Sequence, residues 1–260
     1  MATRCIYTSL FGDYEEISEQ NFIGQENYRM ICFTDVPRPN STWEVRVIDK
    51  ALIGDIQRSS RFPKILPHIF LSEFEESIYI DNSVKLLEDP FMYLGNSPEP
   101  FHILRHSFHS SLQREFQEVF AKELDEPFRI LEQFSHYKFD EKKISEIPVL
   151  WGGILYRKHN YPEVIKFAEE WWLHLARYSR RDQLGLAYLA NLNSHLFHVE
   201  NIDNHESNFH KWPVSNRNVS RSEIWKIDIR REKRNLYGSN HLQIQKYMFK
   251  KFVGKISRSR

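Results

Sequence analysis

Cysteine and glycine are scarce in this sequence, and each scarcity closes a class of function. The 260 residues include two cysteines, Cys5 and Cys32, each inside a short apolar run. Buried free thiols are expected there, with no disulfide framework. Nine glycines are present, but none gather into the glycine-rich spacing of a dinucleotide fold or a P-loop, which argues against NAD binding and P-loop phosphate chemistry. No Cys/His spacing resembles a zinc motif. No run of roughly 18 apolar residues occurs, so no membrane-spanning helix is expected. The start, MATRCIYTSLFGDY, lacks the charged, apolar and small-residue regions of a secretory signal. A reducing, cytoplasmic location is therefore expected. Internal repeats and low-complexity segments are missing too.

What is present is enough for a large core: 41% hydrophobic and 14% aromatic residues exclude a disordered chain. The net charge of +1 hides an asymmetry: from Asn201 onward there are 14 Lys and Arg against 5 Asp and Glu, and the remainder carries 22 against 30. An acidic body over residues 1–200 and a basic extension over 201–260 follow. Such a tail suits an anionic surface or partner and does not make a nucleic-acid-binding core. Between Leu242 and Val253, Ile244, Met248 and Phe252 recur every four residues among lysines. A basic amphipathic helix of this kind suits peripheral contact with the inner membrane surface, or docking on the acidic body.

The region from Ser59 to Leu86 organises the rest. Phe62, Ile65, Leu66, Ile69 and Phe70 recur at helical spacing, with Ser59 or Ser60 as cap, Pro63 in the first turn, and a bend at Pro67. The β-rich run Ser77–Ile80 then ends at Asp81. Strands are also expected at Arg4–Leu10, Arg29–Phe33 and Trp43–Ile48. Short strands ending in polar groups and separated by crossovers predict an α/β fold, a Rossmann-type mixed sheet flanked by helices. Its ligand edge would hold Thr8, Ser9, Asp35 and Asp81. Asp81 and Asn82 also suit a simple turn.

Farther on, Phe101–Leu104 reads as a strand leading to Arg105 and His106, where contact with a phosphate or acceptor competes with an ion pair to Glu115 or Glu118. Helices are expected over Ser110–Lys122 and Glu126–Tyr137. Val149–Tyr156 is a strand interrupted by Gly152 and Gly153, a pattern that marks a bulge or a close approach. A helix opening at Pro162 carries Trp171 and Trp172, read as packing before sugar stacking. Asp182 and Gln183 precede a last helix, and Asp182 is a candidate cap.

Taken together and in order, YTSLFGDYEEI, CFTDVP, SRFPKILPHIFL with YIDNSVKL, LRHSFHSSLQREFQEV, and WGGILYRKHN with WWLHLARYSRRDQLGLAY resemble a glycosyltransferase-like family first catalogued as a domain of unknown function. It occurs in plant Golgi and bacterial polysaccharide proteins and is similar to glycosyltransferase family 8. The resemblance runs from about Arg4 to Tyr188. It implies a GT-A-like fold, a nucleotide diphosphate-sugar donor (UDP the expected carrier), a saccharide or lipid-linked glycan acceptor, and Mn²⁺ or Mg²⁺. By similarity, Thr8 and Asp35 lie by the nucleoside, Arg61 and Lys64 near the phosphates or Asp81, and Gly152 and Gly153 against the donor sugar. Asp182 and Gln183 are the implied catalytic pair, in a retaining transfer. Asp81 takes the first place of an Asp-x-Asp metal motif; Ser83 stands where the second carboxylate belongs. His210, with His205 behind it, is the implied late ligand.

The expected activity is hexosyl transfer. The missing second carboxylate keeps a non-catalytic sugar-nucleotide or glycan-binding protein as the alternative. A nucleotidyltransferase is a third reading, which lacks the glycine-rich basic loop it needs.

Overall fold

The computed structural model describes residues 3–214, apart from 14, 23, 40, 41 and 141–143. Its elements in chain order are β1 (Arg4–Ser9), β2 (Arg29–Thr34), β3 (Glu44–Val47), α1 (Ile56–Ile65), α2 (Pro67–Phe70), β4 (Glu76–Ile80), β5 (Lys85–Leu86), α3 (Pro90–Leu94), β6 (Phe101–Arg105), α4 (Leu112–Ala121), α5 (Pro127–Asp140), β7 (Leu150–Arg157), α6 (Pro162–Arg177), α7 (Asp182–Leu192), β8 (Phe197–Glu200) and β9 (His210–Lys211).

A seven-stranded sheet runs in the order β3-β2-β1-β4-β7-β6-β8. Every neighbouring pair is parallel except those made by β7, which lies antiparallel between β4 and β6. The expected mixed sheet flanked by helices is thus present. β1, β2, β4 and β7 read as near-continuous apolar runs because both their faces are covered. One face packs Tyr7, Phe33 and Leu155 against Phe116, Trp171 and Leu184 of the helices. The other packs Ile6, Cys32 and Tyr156 against Trp43, Phe91 and Phe209. Cys5 and Cys32 are buried and unpaired, as expected, and Trp171 is wholly buried in the core.

Strand direction then decides where a site can form. The carboxyl ends of β1, β2 and β4 and the amino end of the reversed β7 all reach one edge of the sheet. Open α/β sheets bind ligands at such an edge.

Three local expectations change. Helix α1 starts at Ile56, where Asp55 accepts from the Arg58 amide; Ser59 and Ser60 are buried inside it. An aspartate four residues upstream is an equally good cap, and it wins because the first turn begins before the apolar periodicity does. Pro63 therefore lies in the last turn, not the first. The bend at Pro67 is a full break: Leu66 is non-helical and Pro67 opens α2.

Residues 201–214, within the expected extension, pack on the body. β9 pairs with β5, Phe209 is buried, and the Trp212 indole donates to Ser83 Oγ at 3.1 Å. The basic helix expected over Leu242–Val253 lies outside the described residues. Among the described residues no helix is long and apolar enough to cross a membrane.

Candidate active site

At the ligand edge, one ammonium joins two carboxylates from three separate elements. Lys64, from the last turn of α1, places Nζ 2.6 Å from Asp182 Oδ2 at the start of α7. The same nitrogen lies 3.5 Å from Asp81 Oδ1, just past β4. The Tyr79 hydroxyl donates to that Asp81 oxygen at 2.8 Å, and the Lys64 ammonium sits over the Tyr79 ring. Burial would push the Asp182 carboxyl up, but Lys64, Arg61 and Arg181 together hold it far below the usual carboxylate range. Asp182 is thus an anion at any physiological pH. Burial and the neighbouring Asp81 charge push the Tyr79 phenol well up, so it remains a donor.

The sequence folds this way locally because the two prolines end α1 where Lys64 can be held. Pro67 has no N–H to continue the ladder, and the break at Leu66 leaves the last carbonyls of α1 without helical partners. Arg157, buried at the end of β7, takes them. It donates to Lys64 O at 2.5 Å and to Ile65 O at 3.4 Å, and also to the Tyr7 hydroxyl. Tyr7 in turn donates to Lys64 O at 3.2 Å. A buried guanidinium thus sets the register of the residue that faces the site.

Gly152 and Gly153 serve in two ways. Pairing with β6 jumps from Leu155 to Trp151, so residues 152–154 bulge from that ladder. A Cβ at Gly152 would lie 3.3 Å from Lys64 Nζ and 3.7 Å from Asp182 Oδ2, so its absence lets the ion pair approach the strand. At Gly153 a Cβ would stand 2.4 Å from the Trp151 ring, and the Gly153 carbonyl accepts from the Asp81 amide at 2.8 Å. Both the bulge and the close approach are therefore present.

Asp182 opens α7 without acting as its side-chain cap. Trp171 fixes its backbone, donating from the indole to Asp182 O at 2.9 Å. Gln183 is turned toward the strand, donating to Leu150 O at 3.3 Å.

Ser9, Glu15, Arg61, Tyr79, Asp81, Asn82 and Ser83 line a small pocket beside this group. Arg61 belongs to it as expected from the helix face. Thr8 does not: it is fully buried, one residue out of phase with Ser9, because successive strand residues face opposite sides. Asp35 accepts from the Gly12 amide at 2.9 Å and pairs with Lys50 at 3.1 Å, so it braces the loop after β1. Burial would push its carboxyl up, but the Gly12 amide and Lys50 bring it below the usual range.

A cation at this pocket would meet oxygen ligands, the chemistry of Mg²⁺ or Mn²⁺. Asp81 supplies a carboxylate and Ser83 a hydroxyl that already accepts from Trp212. His210 is not brought to them. Its Nδ1 pairs with Ser207 Oγ at 2.7 Å, its Nε2 with Asn204 O at 3.1 Å, and its ring packs on Trp151. Buried with both nitrogens engaged, it belongs to the packing of the 201–214 segment; His205 likewise faces Trp212 O at 3.1 Å. The residues present fit a cation held by one carboxylate together with phosphate and water oxygens, not a set completed by His210.

His106 forms no ion pair with Glu115 or Glu118. Its Nδ1 accepts from the Phe108 and His109 amides, both at 3.1 Å. His109 pairs with Glu115 instead, and Glu118 with Lys122. Tyr79, Glu15 and Arg157 are site residues that the sequence pattern did not single out.

A family model described as TOD1/MUCI70, glycosyltransferase-like domain, matches residues 35–208. No curated protein matches the chain in sequence. Among solved structures, mouse xyloside xylosyltransferase 1 in its apo form is similar at 12% identity, over 75% of this chain and 84% of that one, with a TM-score of 0.43.

Proposed function

The chain belongs to the TOD1/MUCI70 glycosyltransferase-like domain family, and from that premise we propose that it is a GT-A-type hexosyltransferase. The donor is a nucleotide diphosphate-sugar, UDP-linked, and the acceptor a hydroxyl of a saccharide or lipid-linked glycan. The observation that carries this reading is Lys64 held between Asp81 and Asp182 at the ligand edge.

Each residue then has a role that its chemistry suits. Lys64 and Arg61 face the anionic diphosphate, and Asp81 and Ser83 border the same pocket. Asp182, a fixed anion, faces the donor sugar and stabilises the positive charge that develops at the anomeric carbon. The bond from that carbon to the diphosphate oxygen breaks, its electron pair leaving with the diphosphate. The acceptor oxygen bonds to the same carbon, and its proton passes to the departing diphosphate oxygen. Transfer on one face gives retention. A divalent cation, Mn²⁺ or Mg²⁺, bound through Asp81 and the phosphates would supply further charge neutralisation to the leaving group.

Ser83 in place of a second carboxylate favours one other reading, a sugar-nucleotide-binding protein without turnover. Hydrolysis and transfer assays over a panel of nucleotide-sugars with Mn²⁺ separate the two. Turnover lost in Asp182→Asn with donor binding retained supports the transferase. Donor binding without turnover supports the second reading, and neither binding nor turnover with any donor overturns both.

A further inference from the structure

A second group of chemistry-bearing residues stands apart from the Lys64 site. In the parallel pair β6 and β8, His102 lies directly across from His198. Glu200 follows His198 by two residues, so the strand period puts it on the same face. One nitrogen of each histidine and one carboxylate oxygen of Glu200 lie within 4.8 Å of one another. His102 and His198 sit toward the strand ends away from Asp81.

The hydrogen bonds of His102 make this more than a coincidence of residue types. The ring is buried, with 4% exposure. Its Nδ1 lies 3.1 Å from the Leu94 carbonyl. A carbonyl only accepts, so Nδ1 carries a proton. The other nitrogen, Nε2, lies 2.9 Å from Glu200 Oε2. In the neutral ring Nε2 is a lone pair aimed at a carboxylate lone pair. Something positive must lie between them, either a second proton or a metal cation. An Nδ1–H anchored on a main-chain carbonyl is also the usual support of a metal-bound imidazole, fixing tautomer and ring plane. Two ligands about 2.0–2.1 Å from a tetrahedral zinc stand about 3.3 Å apart, a few tenths of an ångström more than the 2.9 Å between Nε2 and Oε2.

We propose that His102, His198 and Glu200 bind a divalent transition cation of the zinc class. Two imidazoles and a carboxylate suit such an ion better than Mg²⁺ or Ca²⁺, which take oxygen. His198 and Glu200 are half-exposed, with 45% and 43% of their side chains accessible, so the fourth position faces water. Glu99, 3.7 Å from His198 Nδ1, adds a second negative charge at the rim. The cation joins the edge strand β8 to β6. Beyond β8 the chain runs into the 201–214 segment, so this link anchors the segment whose Trp212 indole donates to Ser83 Oγ.

The test uses the full chain, stripped with a chelator and titrated with Zn²⁺, and separately with Co²⁺ as a spectroscopic probe. One equivalent of Zn²⁺ should bind and raise Tm, and Co²⁺ should give the visible bands of a four-coordinate site. His198→Ala and Glu200→Gln change exposed side chains and should fold normally. Each should weaken Zn²⁺ binding by more than about tenfold and lose both the Tm rise and the bands. Zn²⁺ without effect on Tm overturns the proposal, as does a response that survives both substitutions. A zinc-insensitive Tm whose pH dependence disappears in Glu200→Gln identifies a shared proton instead and equally overturns it. None of these readouts depends on glycosyl transfer.

Discussion

The Arg157 guanidinium donates to the main-chain oxygen of Lys64 at 2.5 Å, from a position with no solvent exposure. The relation is needed because Pro67 ends α1 and strands that carbonyl. Arg157→Gln should leave the oxygens of Ile65 and Tyr7 short of a donor, the Lys64 oxygen keeping only the Tyr7 hydroxyl, at about 1–3 kcal/mol for each group left unpaired. Thermal unfolding should show the loss. Assayed below its own Tm, the variant should also turn over donor more slowly, since Lys64 loses its register. Wild-type turnover in a folded but less stable Arg157→Gln would reduce Arg157 to a purely structural part.

Lys64 and Asp182 form a buried pair 2.6 Å apart. Removing one partner leaves the other charge in a dry site, and such losses typically reach about 3–5 kcal/mol. Lys64→Met and Asp182→Asn should each destabilise by an amount toward that range, moderated by Arg61 near Asp182. The double variant should cost clearly less than the sum. Urea unfolding of the four proteins reads the coupling directly, and strict additivity would refute a working ion pair.

Gly152→Ala and Gly153→Ala should fail differently. At Gly152 the new methyl meets the Lys64 ammonium at 3.3 Å, a flexible side chain able to yield by a few tenths of an ångström. Tm should change little while turnover falls, because the yielding group is the one facing the donor. At Gly153 the methyl strikes the Trp151 ring at 2.4 Å, and that ring is pinned by His210 and Trp212. Overpacking of this kind costs about 1–3 kcal/mol, so the loss should appear in Tm. Equal effects on both properties at both sites would contradict the division.

Acid should destabilise the fold through His159. This side chain is fully buried, with ring nitrogens on Ser77 Oγ and Leu71 O, each at 2.9 Å. Burial brings its pKa down from 6.5 to about 4. The unfolded chain therefore takes up a proton below pH 6.5 that the folded chain refuses until about pH 4. Stability falls with falling pH across that window, by on the order of 3 kcal/mol at most for one such group. Urea midpoints from pH 7 to 4 should decline, and His159→Gln should flatten part of the slope.

Much of this arrangement was legible beforehand, and the gaps have physical causes. β1, β2, β4 and β7 announced themselves because doubly covered strands are long apolar runs. Asp81 fell at a strand end and the glycine pair interrupted a strand pattern, both readable from spacing, whereas Lys64 and Asp182 came to the site only through the family resemblance. β5, β8 and β9 were missed because two to four residues carry no period, and their pairing partners lie far off in sequence. Thr8 and Ser9 were both placed at the ligand edge, and only Ser9 lines the pocket, because successive strand residues face opposite sides. The Tyr7–Arg157–Lys64 relay joins residues more than ninety positions apart and has no local trace. His210 stood as a ligand through the resemblance alone, and nothing in a polar tail signals its burial against Trp151 and beside Asn204.

Asp81 leads to the last expectation. Its Oδ1 already has the Tyr79 hydroxyl at 2.8 Å and the Lys64 ammonium at 3.5 Å. Part of the charge that an acidic metal motif leaves bare is therefore balanced here, and Ser83 adds none. A divalent cation should help the donor diphosphate bind without being indispensable, because Lys64 and Arg61 remain. Calorimetry with UDP should show weaker but measurable binding after chelation, and stronger binding when Mn²⁺ is restored. In Asp81→Asn the Mn²⁺ increment should vanish while the metal-free affinity changes little. A full Mn²⁺ increment in Asp81→Asn would move the cation away from Asp81, and the His198→Ala variant would then report whether it belongs to the β6–β8 edge.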